Sequence, residues 1–276
     1  TVAAVDENFE LLLDDGSPVA ANERRELVGK LREHIDRLPQ EQRQVMLLQL
    51  REKKRMKPKR AVIKKTKTQG FYDRIADVQN LASKINGYRT SVAKYLRSLD
   101  LAIDPDSFVL DAGSGTGIVT LGFQSAGFRP RQTVALDLSL NSLKIARDKF
   151  KKEKKKVDSK RISSVQSNVL SLPFDDNTFD LVLTCGVLEY VSLDDGLREL
   201  SRVLKPGGRL VLIPVKPSLV GSVLEFLYKF KLHPIKNVRR ISQQYFNIVS
   251  EQEFPVSEPI GWSKSIFLLE KPTAEA

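Results

Sequence analysis

The chain has 276 residues, 41% of them hydrophobic and 29% charged, as is typical of soluble globular proteins. It has no apolar run of about eighteen residues, which argues against a transmembrane helix, and its one cysteine, Cys185, rules out an internal disulfide framework and argues against a cysteine-based zinc site. The first fifteen residues are acidic and carry no lysine or arginine, unlike a secretory signal, so a cytoplasmic location is expected.

The net charge of +11 is concentrated in two segments. Residues 51–70 carry ten lysines and arginines against one acid, and residues 147–161 carry nine against three, so the rest of the chain is slightly acidic. Such segments can bind RNA or an anionic membrane surface. They can equally be a charged linker and a solvated loop, and the sequence leaves both interpretations open.

Three segments precede the main domain. Residues 1–22 are acidic and predict a flexible N-terminus. Residues 23–50 predict a helical hairpin broken at Pro39, because apolar residues recur at three- or four-residue spacing in its first half. Two short helices bury little by themselves, so this hairpin is expected to dock on the main domain or on a protein partner. Residues 51–70 form the basic linker, with 51–68 as the part available to an anionic surface.

Residues 71–276 predict one α/β domain. Two leading helices, at 71–85 and 88–99, are followed by short β-rich runs at 108–110, 133–136, 179–184 and 209–213. Helical stretches at 118–126, 140–150 and 194–204 separate these runs, which predicts parallel strands with right-handed crossovers. Together with the segment 23–50, this alternation predicts a doubly wound α/β sheet with an N-terminal helical extension.

A glycine-rich loop follows the first strand. The strand ends at Asp111, and Gly113, Gly115 and Gly117 come at alternate positions before a helix. This spacing departs from the G-x-G-x-x-G dinucleotide fingerprint, and no Gly-Lys-Ser/Thr follows, which excludes a P-loop. A carboxylate at the strand tip would repel a pyrophosphate but attract an ammonium or a sulfonium.

A second carboxylate, Asp137, ends the next strand. A carboxylate at this place can accept hydrogen bonds from both hydroxyls of a ribose. The alternative is that Asp137 caps the following helix, a role that Ser139 could also fill.

Five segments in order resemble the class I S-adenosylmethionine-dependent methyltransferases, in particular the small-molecule group that includes the quinone-ring methyltransferases. The resemblance covers residues 71–213. It rests on the loop at 109–117, the strand end at 135–139, and the segments at 166–174, 179–191 and 204–212. It implies S-adenosylmethionine as cofactor, bound within 71–213, and a substrate lid with the last strands in 214–276. It also implies a mostly parallel sheet of seven strands, in which 265–270 would be the last, antiparallel strand and 245–249 the strand before it.

The resemblance also implies cofactor-binding residues. These are Tyr72, Asp111, Gly113, Ser114, Gly115, Gly117, Asp137, Leu138, Asn168, Val169, Cys185 and Gly186. Asp111 would hold the methionine ammonium, Asp137 the ribose, and Leu138 the adenine face. Asn168, where many relatives have aspartate, would reach the adenine edge with Val169. Cys185 and Gly186 would offer backbone at the methyl-donor end, and Tyr72 is either a cofactor cover or a core tyrosine.

The methyl acceptor is less well defined by the sequence. The segment after the fourth strand, TCGVLEY, lacks the Asn/Asp-Pro-Pro-aromatic motif of enzymes that methylate exocyclic amines. Glu189, Tyr190 and His233 are candidate catalytic residues, each with a purely structural alternative. The apolar face at 218–232 predicts a lid over a small, apolar or lipid-like acceptor. Two alternatives remain: an RNA or protein methyltransferase docking through 51–68, and a non-catalytic protein binding a partner through 23–50.

Overall fold

The computed structural model describes residues 87–153, 158–255 and 257–273. The predictions for the flexible N-terminus at 1–22, the helical hairpin at 23–50, the basic linker at 51–70 and Tyr72 lie outside these residues. None of the helices in the described ranges is both long and apolar enough to cross a membrane.

Seven strands form a single sheet in the order β3-β2-β1-β4-β5-β7-β6. The strands are β1 (Phe108–Ala112), β2 (Gln132–Asp137), β3 (Ile162–Gln166), β4 (Phe179–Cys185), β5 (Leu204–Ile213), β6 (Asn247–Glu253) and β7 (Ser265–Glu270). The first five pair in parallel, and β7 runs antiparallel to both β5 and β6. The expected seven-stranded, mostly parallel sheet is therefore confirmed.

Helices cover both faces of this sheet. They are α1 (Tyr88–Ser98), α2 (Ile118–Ser125), α3 (Leu140–Lys152), α4 (Leu193–Val203), α5 (Leu219–Tyr228) and α6 (Ile235–Ser242). Successive residues of β1 show why two layers are needed, since Val109 and Leu110 are both fully buried on opposite faces. Val109 packs with Leu96 and Phe123 of α1 and α2, whereas Leu110 packs in the cluster that contains α4. Strands buried on both faces read as apolar runs.

The strand order places a crevice beside β1. The chain leaves β1 for β2 on one side, and later returns to pair β4 on the other side of β1. In open α/β sheets, ligands bind outside the carboxyl ends of the strands at such a reversal. The loops after β1, β2 and β4 therefore define the candidate site.

Two strand boundaries differ from those expected by more than two residues. The strand at 209–213 begins at Leu204, because Phe179 pairs with Leu204 and the ladder resumes with Leu181 and Arg209. Residues 205–208, which lie between these two pairs, bulge out of the ladder. This bulge explains why the sequence predicts a turn there. The strand expected at 245–249 instead spans Asn247–Glu253, because its register is set by pairing with β7.

Candidate functional site

The glycine loop is folded back against β2. The backbone N–H groups of Gly113 and Ser114 both donate to the carbonyl of Leu136 at 2.8 Å. Gly115 has φ +52°, and Gly117 has φ +82° at the start of α2, so both take a conformation that favours glycine. A side chain on Gly117 would collide with the Phe150 ring, whereas one on Gly115 would enter open space. The open side of the loop at Gly115 can therefore admit a ligand to the backbone.

Asp111 is fully buried at the base of this loop. Its Oδ2 accepts hydrogen bonds from the backbone N–H and the hydroxyl of Thr120, at 3.0 and 2.5 Å. Its Oδ1 is buried and has no hydrogen-bond partner among the described residues. Burial raises the pKa of Asp111 to about 7, although the hydrogen bonds from Thr120 oppose this. An orphaned buried carboxylate oxygen requires a cation or a donor, and an amino-acid ammonium fits it.

Asp137 joins the tip of β2 to the glycine loop. Its Oδ2 accepts from the Gly115 N–H and its Oδ1 from the Ser139 N–H, both at 2.8 Å. Burial raises the pKa of Asp137, while these two backbone donors lower it. The helix cap of α3 is Ser139, whose hydroxyl accepts from the Ser142 N–H at 3.2 Å. Asp137 is thus free of the capping role, and each oxygen retains lone pairs for a ribose hydroxyl.

Exposed leucines lie beside this carboxylate, on the loops that follow β2 and β3. Leu138 is 36% exposed and Leu170 is 37% exposed. The two loops are linked, because the Gln166 side-chain amide donates to the Leu138 carbonyl at 3.0 Å. Apolar side chains left open to solvent here suit the faces of a planar ring such as adenine. Leu138 was expected from the sequence, but Leu170 was missed, since nothing in its local pattern separates it from a core leucine.

The other two adenine candidates have different surroundings. The Asn168 side-chain oxygen accepts from the Leu170 N–H at 3.0 Å, which closes a turn and leaves its amide N–H groups for a ligand. The Val169 side chain is buried in the core cluster. Only the Val169 backbone could therefore reach an adenine edge, because the side chain is buried in the core.

Arg202 of α4 holds the segment that follows. Its guanidinium donates to the carbonyls of Leu172 and Phe174 at 3.1 and 2.8 Å and pairs with Glu199. Glu199 in turn accepts from the Leu172 N–H at 2.7 Å. This network fixes the chain leaving the turn that carries Asn168, which sequence reasoning did not foresee.

The chain leaving β4 lies next to the end of β1, where the strand order reverses. The Thr184 hydroxyl donates to the Ala112 carbonyl at 3.0 Å, and the Gly186 N–H donates to the Ile213 carbonyl at 3.1 Å. Gly186 has φ +65°, and a Cβ built there would lie 2.6 Å from the Lys264 Nζ. Cys185 is partly buried, and burial raises the pKa of its thiol. The ammonium of Lys264 therefore lies over the backbone at this exit. The sequence did not predict Lys264 as a site residue.

The three candidate catalytic residues are brought into one region by the segment after α5. Glu189 is buried, its carboxylate accepts from the Val215 N–H, and its carbonyl accepts from the Lys231 N–H at 3.0 Å. The Tyr190 ring packs on that of Phe230, with centroids 5.5 Å apart. The His233 Nε2 lies 3.2 Å from the Leu188 carbonyl. The structure thus closes the segment 230–233 over the 3-10 turn Leu188–Tyr190.

Comparisons with known proteins identify the family of the chain. A family model described as a methyltransferase domain matches residues 110–212. The chain is 36% identical over 173 residues to an uncharacterized protein of Methanocaldococcus jannaschii, covering 58% of this chain and 67% of that protein. It is 36% identical over 137 residues to the ubiquinone/menaquinone biosynthesis C-methyltransferase UbiE of Shewanella frigidimarina. That match covers 48% of this chain and 53%, about half, of the enzyme's length.

A solved structure shows the same fold. The geranyl diphosphate C-methyltransferase of Streptomyces coelicolor superposes with a TM-score of 0.53 at 17% identity, covering 76% of this chain and 86% of that one. The matched methyltransferase domain includes both carboxylates at the strand tips and the glycine loop between them, where the buried groups fit an amino-acid ammonium and a ribose. The chain therefore belongs to the class I S-adenosylmethionine-dependent methyltransferases, and S-adenosylmethionine is its cofactor.

Proposed function

We propose that this enzyme methylates a small, apolar or lipid-like acceptor in the crevice between β1 and β4. The observation that carries the proposal is the surrounding of Gly186. The Lys264 ammonium covers it, the Tyr88 hydroxyl shares a hydrogen bond with that of Ser263, the neighbour of Lys264, at 3.2 Å, and Tyr88 packs against the same apolar cluster as Cys185. Apolar and aromatic walls favour a ring or an isoprenoid over a polynucleotide. The relative from Shewanella, a quinone-biosynthesis C-methyltransferase by name, supports the same class.

The cofactor contacts follow from the groups described above. Asp111 would hold the methionine ammonium through its orphaned Oδ1, and Asp137 would accept from the ribose hydroxyls. The backbone at Gly113, Ser114, Gly115 and Gly117 would line the methionine moiety, with Cys185 and Gly186 at the methyl-donor end. Leu138 and Leu170 would cover the adenine, with Asn168 and the Val169 backbone at its edge.

S-adenosylmethionine supplies a methyl group activated by a sulfonium sulfur. The acceptor atom forms its bond to the methyl carbon as the carbon–sulfur bond breaks and its electron pair passes to sulfur. The protein mainly supplies alignment and excludes water. An acceptor that starts as a hydroxyl or an activated carbon must also lose a proton, for which Glu189, Tyr190 and His233 are the candidates. Glu189 also ties the β4 exit to Val215, so its contribution would include positioning.

The alternatives depend on residues outside the described part of the chain. RNA or protein docking through 51–68, and partner binding through 23–50, remain predictions from charge and periodicity. A cytoplasmic location, with or without peripheral membrane contact, likewise remains a prediction.

Calorimetric titration and a transfer assay test the proposal together. S-adenosylmethionine and S-adenosylhomocysteine should bind the wild type in the micromolar range, and Asp137→Ala should weaken both. Labelled methyl should then pass to members of a panel of hydroxylated quinones and prenylated phenols, and not to total RNA or to a protein extract. Transfer to RNA or protein alone would contradict the acceptor class while leaving the cofactor site intact.

A further inference from the structure

Lys264 lies at the carboxyl end of the sheet, directly before β7. Its side chain is only 8% exposed. Its backbone pairs with Val215, and the Val215 N–H donates to the carboxylate of Glu189. The ammonium itself lies over Gly186. Lys264 is thus fixed by β-bridging on one side of the crevice while its charged end reaches the β4 exit.

The ammonium of Lys264 makes no hydrogen bond or ion pair with another residue in the described ranges. Burial lowers its pKa, but the ionised forms of Cys185, Glu189 and Tyr88 raise it by more, so the pKa lies above its ordinary value and the side chain is charged at neutral pH. Burial raises the pKa values of Cys185 and Tyr88, which leaves them uncharged there. Glu189 contributes a nearby negative charge, but its carboxylate accepts from the Val215 N–H and forms no ion pair with Lys264, so the N–H donors of the ammonium are open to an anionic oxygen of a ligand in the crevice.

The side chain of Tyr88 lies close to the ammonium. The Tyr88 hydroxyl shares a hydrogen bond with the hydroxyl of Ser263, the neighbour of Lys264, at 3.2 Å. Tyr88 and Cys185, the neighbour of Gly186, pack against the same apolar cluster. An acceptor that matches both the ammonium and the aromatic and apolar side chains near it has a flat apolar body and one negatively charged oxygen.

We propose that Lys264 binds the methyl acceptor directly, holding the phenolate or enolate oxygen of a ring compound beside Gly186. This inference rests on the proposed function, because it assigns the substrate class of that same site. An ammonium that stabilises such an oxyanion also favours the ionised acceptor, in which the oxygen or the adjacent ring carbon is the better nucleophile.

Binding of two quinones that differ in charge tests the proposal. The full chain, saturated with S-adenosylhomocysteine, is titrated with 2-hydroxy-1,4-naphthoquinone, which is an anion at neutral pH, and with its neutral 2-methoxy analogue. The wild type should bind the hydroxy compound about tenfold or more tightly than the methoxy compound, as expected for a charge-assisted hydrogen bond. The visible absorbance of the anion reports binding without requiring turnover.

Lys264→Met should abolish the preference for the anion and leave the affinity for S-adenosylhomocysteine unchanged. Lys271→Met is the matched control, because Lys271 follows the other end of β7 and its ammonium donates to the carbonyls of Ser201 and Leu204, both at 2.7 Å. This control should lower stability and keep the preference.

Three results of the quinone titrations would overturn the proposal. They are equal binding of both quinones by the wild type, binding of neither, and a preference that survives in Lys264→Met. A loss of S-adenosylhomocysteine affinity in Lys264→Met would also overturn it, since the lysine would then serve the cofactor. The proposed function fails separately, if the wild type binds no S-adenosylhomocysteine at all.

Discussion

The carboxylate of Asp137 accepts a hydrogen bond from the backbone N–H of Gly115 at 2.8 Å. This contact joins the tip of β2 to the loop after β1, so the residue proposed to bind the ribose also holds the loop proposed to line the methionine moiety. Loss of the side chain should therefore disturb two parts of the cofactor site at once.

Asp137→Ala should weaken S-adenosylmethionine binding by roughly 100-fold, since it removes charge-assisted hydrogen bonds to the ribose and frees the loop. Calorimetric titration measures this change. Ser139→Ala is the control, because it removes the cap of α3 and should cost about 0.5–2 kcal/mol of stability with little change in affinity. Equal affinity losses in both variants would mean that Asp137 acts only by supporting the helix start.

Asp111 should link cofactor binding to proton release. Its pKa is about 7 in the free protein, and a bound ammonium would favour the ionised carboxylate. Titration of S-adenosylmethionine at pH 6 to 6.5, in buffers of different ionisation enthalpy, should show protons released on binding, and affinity should fall as the pH drops below about 7. Asp111→Asn should bind weakly at every pH and release none of these protons. Proton release that persists in Asp111→Asn would assign it to another group.

The same carboxyl should also affect the stability of the free protein. Its folded pKa is raised from 3.8 to about 7, so its contribution is fully present below about pH 4 and is lost as the pH rises through 7. Relative to Asp111→Asn, the wild type should lose up to about 4 kcal/mol of unfolding free energy between pH 4 and 8. Denaturant titrations of both proteins across this range measure the difference. Parallel pH profiles would contradict the predicted burial of an ionisable Asp111.

Gly115→Ala should separate backbone strain from ligand space. A Cβ there meets nothing within 4 Å, and φ is +52°, so the variant should fold with a stability loss of about 1 kcal/mol. It should bind S-adenosylmethionine at least tenfold more weakly if the open space is where the cofactor approaches the backbone. Gly127→Ala has a similarly open, positive-φ position away from the loop and should lose stability only. Unchanged affinity in Gly115→Ala would move the cofactor off this side of the loop.

Arg202→Leu should destabilise the fold by roughly 1–3 kcal/mol, because it leaves the carbonyls of Leu172 and Phe174 without their donor. It should also weaken S-adenosylmethionine binding several-fold by loosening the turn at Asn168. Arg198→Leu, one turn away on α4, removes only exposed ion pairs to Asp194 and Asp195 and should change neither property measurably. Thermal unfolding and calorimetry of the two variants provide the comparison. Equal effects would show that the loss of charge on α4, and not the bonds to the loop, is responsible.

Local sequence patterns determined most of the cofactor half of this enzyme. A strand, a glycine loop and a helix are successive in the chain, so the sequence alone indicated that Asp111 and Asp137 lie at the ends of successive strands. The structure shows that these strands are adjacent and parallel, with β1 extending one residue further, to Ala112. Glycine is required at Gly117 by backbone conformation and by contact with Phe150, and its position was readable from spacing. The sequence left open whether Asp137 or Ser139 caps α3. In the structure, the cap is the Ser139 hydroxyl.

The acceptor end of the crevice was decided only by the tertiary structure. Lys264 is far from Gly186 in the chain and looks locally like a polar residue ahead of an apolar strand, yet β7 inserts between β5 and β6 and carries it to the β4 exit. Leu170 and Arg202 were missed for the same reason. A periodic pattern records what neighbouring residues impose on the backbone, whereas the exposure of a leucine or the isolation of an ammonium depends on which distant strands and loops pack around it.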